Sequence, residues 1–366
     1  MISKKDFVLG IIGGGQLGKM LLQYCNELSI TTYVYDSSEF SPCKNICCKF
    51  FKGELQNYEK IVDFASKCDI VTYEIEHINV AALKYAESYG IKVYPTSETL
   101  ATIQNKSKQK LFFEKNQIPT SNFRVYSNLE TLNIDIKNST VKMPFVWKKT
   151  TEGYDGYGVK IIKTKNDLHG LCDTECIIED LVDIEKELSV IIARNPDGES
   201  KSYSPVEMIF NEISNQVEYV LQPAQVSTKI MQEIKGVSQK VSYTLKHVGI
   251  LAIELFLTRS GNILVNELAP RPHNSGHLTI EHCCATSQFQ QHIRSILNLP
   301  LGNTEFIKPA IMFNLVGEEN KSGDVVYKGL ENVFAEKNTF LHIYGKTITR
   351  PNRKMGHITI VSDENI

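Results

Sequence analysis

The chain has 366 residues, 42% hydrophobic and 22% charged, with 40 basic against 42 acidic side chains. That length exceeds what one hydrophobic core usually supports, so two or three domains are expected, and the ordinary balance of residue types excludes a disordered or fibrous chain. A net charge of -2 excludes the basic surface with which a nucleic-acid binder neutralises phosphates, so no nucleic-acid partner is expected. Nine cysteines, odd in number and without paired Cys-x-x-Cys spacing, read as reduced thiols of a cytoplasmic protein rather than as a disulfide or zinc framework. No secretory leader and no apolar stretch of membrane-spanning length is expected, hence no membrane partner.

Phe7 to Ile12 is a short apolar run, followed by Gly13-Gly14-Gly15-Gln16-Leu17-Gly18 and a helical pattern over Lys19 to Leu28. Thr31 to Asp36, Ile70 to Tyr73 and Ile91 to Tyr94 predict further strands, with helices around Asn57 to Lys67 and Val80 to Tyr89. Such alternation implies a parallel sheet. Ser97 predicts the cap of one helix running to about Asn116. From Phe123 to Leu299 the strands become hairpin-like, at Phe145 to Lys149, Val159 to Lys163, Cys176 to Glu179 and Leu188 to Ala193, which reads as a larger α+β domain. A helix over Ser287 to Leu297, strands at Ala310 to Val316 and His357 to Val361, and a polar helix candidate at Tyr327 to Asn338 close the chain. The expected domains are residues 1–100, 101–299 and 300–366.

Gly13, Gly15 and Gly18 fit the spacing with which a strand-to-helix turn offers backbone N–H groups to phosphate, and Asp36 ends the next strand, where a dinucleotide fold binds ribose. Taken alone, these residues fit a nicotinamide or flavin enzyme as well as they fit a turn that only packs a helix on a sheet. A second cluster, Gly153-Tyr154-Asp155-Gly156-Tyr157-Gly158, lies between two predicted strands, the first ending in Lys148 and Lys149. Such a loop can fold over a polyphosphate while a lysine on the adjoining strand supplies point charge, although a plain surface hairpin has the same composition.

The sharpest signal is a pair of acids in the two strands around Ser260-Gly261. A two-residue turn there makes Arg259 oppose Asn262, and counting outward sets Glu254 directly opposite Glu267. Facing side chains have Cβ atoms about 4.5–5.5 Å apart, where like charges are destabilising unless a cation neutralises them. Oxygen-only ligands, Glu254 and Glu267 with Asn266 beside them, suit magnesium, which arrives with substrate phosphates. The bland alternative, two solvated acids, fits poorly with neighbours Ile253, Leu255, Val265 and Leu268. Directly after this hairpin, Arg271 can grip an oxyanion, and His273 and Asn274 can orient a substrate; Lys346, Arg350, Arg353 and Lys354 form a late cationic run that is either a solvated turn or a site.

Taken together and in this order, the segments Gly13 to Gly18, Thr72-Tyr73-Glu74-Ile75-Glu76-His77, Gly153 to Gly158, Asn266 to His277 and Arg350 to His357 resemble the ATP-grasp superfamily and, within it, the 5-(carboxyamino)imidazole ribonucleotide synthases. The resemblance covers essentially the whole chain. It implies a Rossmann-like pre-ATP-grasp domain, a central ATP-grasp domain and a small β-rich C-terminal domain, α/β and α+β in class, and a homodimer. The implied reaction uses ATP and magnesium to convert bicarbonate to carboxyphosphate, which delivers its carbon to the amine of 5-aminoimidazole ribonucleotide.

On this resemblance Lys106, Lys148, Gly153, Tyr154, Asp155, Gly156, Tyr157 and Gly158 meet the ATP phosphates, Glu179, Asp180, Leu181 and Val182 the adenine, and Glu187 the ribose. Glu207, Asn266 and Glu267 complete the nucleotide pocket, and Glu254 and Glu267 hold magnesium. Gln16, Leu17, Glu74, Tyr154, Asp155, Arg271, His273, Asn274, Lys346 and Arg353 surround the ribonucleotide and carboxyphosphate, with Asp155, Arg271, Lys346 and Arg353 as the catalytic set. The chain departs from the family's wording at Tyr157, Val159 and Lys106. Three other readings stay in view: a ribonucleotide ligase of the same superfamily that uses formate or another acid, a nucleotide-cofactor oxidoreductase built on the first glycine turn, and a noncatalytic nucleotide-binding regulator.

Overall fold

The computed structural model describes residues 6–151, 158–211, 214, 216–281 and 283–363. The first part alternates strand and helix: β1 (Val8–Ile12), α1 (Gln16–Glu27), β2 (Thr31–Asp36), β3 (Lys49–Lys52), α2 (Tyr58–Ala65), β4 (Ile70–Tyr73), α3 (Val80–Ser88) and β5 (Lys92–Val93). The five strands form a parallel sheet in the order β3-β2-β1-β4-β5, as the alternation requires. The single helix expected after Ser97 is two, α4 (Ser97–Ile103) and α5 (Lys106–Lys115). Thr96, not Ser97, caps the first, and Asn105 caps the second by accepting from the Lys108 N–H; an Asx cap in mid-pattern starts a new helix and turns Lys106 to its first turn.

A four-stranded antiparallel sheet follows, built from β6 (Phe123–Tyr126), β7 (Phe145–Lys149), β8 (Val159–Ile162) and β9 (Cys176–Asp180), with α6 (Leu129–Lys137) packed on one face. Period-two alternation sends Phe145, Trp147 and Ile178 to the helix and leaves Lys148 and Glu179 on the opposite face.

The largest sheet runs β15-β14-β10-β12-β13-β16-β20-β18, with β11 beside β10. This part of the chain contains β10 (Ile184–Arg194), β11 (Ser200–Ser202), β12 (Val206–Phe210), β13 (Val217–Gln222), α7 (Thr228–Leu245), β14 (Gly249–Thr258), β15 (Ile263–Ala269), α8 (Gln288–Ile296), β16 (Ala310–Val316), β17 (Gly323–Asp324), α9 (Leu330–Ala335), β18 (Thr339–Ile343), β19 (Ile348–Thr349) and β20 (Lys354–Val361), with β17 and β19 paired in a separate two-stranded sheet. The last segment therefore has no main sheet of its own, because β16 pairs with β13 and carries β20 and β18 onto the central sheet. The polar helix expected over Tyr327 to Asn338 is only the six-residue α9. Helices α5 and α7 bury Leu188, Val190, Ile192, Leu251, Ile253 and Leu255 on one face, which leaves Glu187, Ser189 and Glu254 on the other.

Helix α8 joins the first sheet to the third. Its Ile293 and Ile296 pack with Leu17 and Leu21 of α1, and His292 accepts from the Ile250 N–H at Nδ1 (3.1 Å), so its Nε2–H donates to Thr72 Oγ1 (2.8 Å). Burial holds His292 neutral, down to about 3. A histidine whose folded pKa lies below its unfolded value of about 6.5 keeps its contribution above that pH and loses it as pH falls. His292→Gln is expected to lower the melting temperature near pH 8, with the gap from wild type closing towards pH 5. Calorimetry of both forms checks this, and a gap independent of pH would refute the neutral tautomer.

Candidate active site

The paired acids meet, by a route that differs from simple counting. The turn is three residues, Arg259-Ser260-Gly261, closed by Thr258 N–H to Asn262 C=O (3.0 Å), with Gly261 at φ +81°. That shifts the ladder by one residue, pairing Leu257 with Ile263 and Leu255 with Val265. A bulge at Asn266 restores the count, so Glu254 does pair with Glu267. The bulge also gives Asn266 and Glu267, neighbours in sequence, the same face.

Two lysines answer these groups from other elements. Lys106, in the first turn of α5, reaches Glu267 Oε2 at 2.6 Å. Lys148, on β7, donates to Asn266 Oδ1 at 3.2 Å, a bond that crosses from the four-stranded to the large sheet. Lys106 pulls Glu267 down to about 2 against burial. Burial opposes the charge of Lys106, but Glu267, Glu179 and Glu254 outweigh it and raise its pKa. Desolvation of the largely buried Glu254, with Glu267 and Glu187 facing it, pushes it up to about 8, and desolvation pushes Glu187 up to about 7. His273 Nε2 lies 3.6 Å from Glu254 Oε1, and burial, with Arg271, lowers His273 to about 3.

Beyond this cluster, Glu74 sits inside the glycine turn, accepting from the Gly15 N–H (2.8 Å) and, at long range, from the Gly18 N–H (3.4 Å). Burial raises it to about 7. Asp36 accepts from the Gly14 N–H at 2.6 Å. The amides that would hold a dinucleotide pyrophosphate are thus spent on two carboxylates, and a Cβ on Gly15 would stand 2.8 Å from Glu74 Oε1. This removes the oxidoreductase reading, which needs those donors for phosphate. Arg271 pairs with Glu76 (2.8 Å), and Lys346 Nζ donates to the Lys354 C=O (2.6 Å). Burial and Arg353 lower Lys346 to about 8, against the pull of Glu74. Arg353 donates to the Ile348 C=O.

Other expected residues sit differently. Leu17 is in the apolar cluster, so only its backbone is open to a ligand. Asn274 exchanges two amide hydrogen bonds with Asn314 (2.8 and 3.0 Å). Glu179 lies buried beneath Lys148 with its carboxylate on two lysines, so its side chain does not form an adenine edge; Asp180 and Leu181 are exposed after it. Glu207 is a correction: the register sets it opposite Leu188 and Met208 opposite Glu187, which puts Glu207 on the other face from Glu187 and Glu254, paired with Lys186 at 2.7 Å. Gly153, Tyr154, Asp155, Gly156 and Tyr157 lie outside the described residues. Glu76, Lys110, Ser121 and Asn314 were missed, since each is recognisable only by partners far away in sequence.

A hard cation fits the acids on their own terms. The donors are all oxygen, and a largely buried carboxylate held near 8 by desolvation and then by its neighbour is a group that a divalent ion would ionise. One parallel and two antiparallel sheets, with Lys106 and Lys148 converging on Glu267 and Asn266 of the acid-bearing hairpin, define an ATP-grasp protein. The ribonucleotide synthetase preATP-grasp domain family matches residues 7–104, the ATP-grasp domain family residues 111–289, and the phosphoribosylaminoimidazole carboxylase C-terminal domain family residues 310–365. The chain is 37% identical to the N5-carboxyaminoimidazole ribonucleotide synthase of Bacillus subtilis, over 97% of this chain and 91% of that protein. It belongs to the N5-carboxyaminoimidazole ribonucleotide synthase family. The Thermotoga maritima synthetase structure superposes with a TM-score of 0.89 at 41% identity, covering 98% of this chain and 94% of that one. The Aspergillus clavatus synthase, solved with ADP and 5-aminoimidazole ribonucleotide, gives 0.89 at 32% identity, covering 98% and 95%. The chain spans 66% of the phosphoribosylaminoimidazole carboxylase of Ogataea methanolica, at 35% identity.

Because Glu254 has a folded pKa above its unfolded one, it costs stability progressively as pH rises towards 8. Without ligands, Glu254→Gln is expected to melt above wild type at pH 8 and to match it near pH 5, while losing ATP turnover. Paired melting curves and a turnover assay check both halves.

Proposed function

We propose that this chain carboxylates 5-aminoimidazole ribonucleotide with bicarbonate at the expense of ATP, giving N5-carboxyaminoimidazole ribonucleotide, ADP and phosphate, a step of de novo purine biosynthesis. The observation that carries the reading is the opposed pair Glu254 and Glu267 flanked by Lys106 and Lys148, with Arg271, Lys346 and Glu74 in reach of the same cleft. The relatives' printed names and their nucleotide complexes support it.

Lys106 and Lys148 bind the phosphates of ATP, and Glu187 takes the ribose. Glu254 and Glu267 would hold magnesium, which when bound supplies charge neutralisation on the phosphates. A bicarbonate oxygen takes the γ-phosphoryl group and ADP leaves. The amine of the ribonucleotide then attacks the carboxyl carbon of carboxyphosphate, the carbon–oxygen bond to phosphate breaks, and Asp155 accepts the amine proton. Arg271, Lys346 and Arg353 stabilise the anhydride's charge and shield it from water, while Gln16, Glu74, Tyr154 and His273 position the ribonucleotide. Glu207 has no part, given its place on the far face. The reading further takes the boundaries at residues 100 and 299, a homodimer and a cytoplasmic setting. Among the described residues, no helix is long and apolar enough to cross a membrane.

Phosphate release from ATP with magnesium and bicarbonate is expected to rise strongly on adding 5-aminoimidazole ribonucleotide, with labelled bicarbonate trapped in the product. Release indifferent to that ribonucleotide would reassign the substrate. Glu267→Ala is expected to abolish turnover while circular dichroism stays native, since it removes a charge on the cleft rather than core volume; a folded variant with normal turnover would remove the metal assignment.

A further inference from the structure

Lys110 lies one helical turn after Lys106 on α5, with a side chain only 3% exposed. All three of its ammonium protons are used: on Glu179 Oε2 (2.9 Å), Thr120 Oγ1 (2.6 Å) and Ser121 Oγ (2.9 Å). It has no donor left for a ligand. We propose that Lys110 is the positioning residue of the nucleotide site, aiming Lys148 through Glu179 and holding the bulged strand of Asn266 and Glu267 through Thr120. The inference rests on the proposed phosphate role of Lys148 and magnesium role of Glu267.

The first arm is electrostatic. Glu179, buried, has Lys148 Nζ 2.8 Å from Oε1 and Lys110 on Oε2. Lys148 is shared between this ion pair and Asn266 Oδ1, to which it donates at 3.2 Å. One carboxylate shared by two ammonium groups leaves a positive charge in excess, and a polyphosphate would complete the balance. Without Lys110, Glu179 has Lys148 as its remaining cation, and their 2.8 Å contact tightens at the expense of the longer bond from Lys148 to Asn266 (3.2 Å).

The second arm is mechanical. β15 is the edge strand of the large sheet, so its outward backbone groups need partners from outside the ladder. Thr120 Oγ1, held by Lys110, donates to the Val265 C=O (2.7 Å), and the Val265 N–H donates to the Pro119 C=O (2.7 Å). Past the bulge, Gln109 Oε1 accepts from the Leu268 N–H (3.0 Å). Asn266 and Glu267 are thereby clamped on both sides by α5 and the segment after it, and Lys110 touches both arms, through Glu179 and through Thr120.

Lys110→Met keeps the stem length and leaves Glu179 paired one-to-one with Lys148, so the fold is expected to survive. It should raise KM for ATP roughly tenfold or more, the size of losing a group that orients a ligand-binding one, with KM for 5-aminoimidazole ribonucleotide unchanged. Lys110→Arg, which retains the charge, should recover part of the loss. A folded Lys110→Met with ATP KM within about twofold of wild type would overturn the inference, since a purely structural lysine moves the melting temperature and not one KM alone. If Lys110→Met fails to melt cooperatively, Thr120→Val carries the same test: a raised ATP KM supports the clamp, and an unchanged one overturns it. Lys148→Met separates the two levels. If it leaves ATP KM unchanged the phosphate reading fails; if it raises KM while Lys110→Met does not, the positioning inference alone fails.

Discussion

Like charges brought face to face in an apolar sheet have to be neutralised, and the rest of this structure is arranged around that demand at Glu254 and Glu267. The neighbours on the helix side are Ile253, Leu255, Val265 and Leu268, so the acids cannot turn away from one another without carrying charge into the core. Lys106 supplies one cation, while desolvation, with Glu267 and Glu187 opposite, still holds Glu254 above the usual carboxylate range. The energetic cost is concentrated at the site proposed to hold a cation and a polyphosphate, which is the usual relation between local instability and a working site.

The two remaining layers supply what the large sheet lacks. The four-stranded sheet presents Lys148 across the cleft, backed by Glu179 and Lys110 in a cluster too buried to be a surface ion pair. The parallel sheet contributes Glu74 and Glu76 from just beyond β4, one buried in the glycine turn and the other on Arg271. His292 ties β4 to β14 through Thr72 and Ile250, so the end of the first sheet and the acid-bearing hairpin are fixed relative to each other. Continuity of β13 with β16 does the same for the cationic run around Lys346 and Arg353.

Much of this was legible in the residues. Short strands rich in β-branched and aromatic residues came through with their ends intact, as at Thr31–Asp36, Ile70–Tyr73, Phe145–Lys149 and Ala310–Val316. The pairing of Glu254 with Glu267 was also readable, yet for an incomplete reason: a three-residue turn and a bulge each shift the register by one and cancel. Helix α7, eighteen residues long, was not anticipated, its apolar positions being interrupted by polar ones that lie along solvent. The split between α4 and α5 turned on Asn105, whose capping bond is a local competitor to a helical pattern that otherwise continues.

What the sequence determined by itself was the set of local conformations and the types of chemistry available: glycines for close approach, acids in an apolar hairpin, lysines beside a loop. These follow from periodicity, caps and the cost of burying charge, all of which act over a few residues. Only the tertiary structure decided which faces they share. It put Glu207 behind the sheet, gave the glycine-turn amides to Glu74 and Asp36 instead of a dinucleotide, and set Lys110 beneath Lys148. Those outcomes depend on strand register and on packing between distant elements, as with Thr72 and His292, 220 residues apart, and no short window of sequence carries that information.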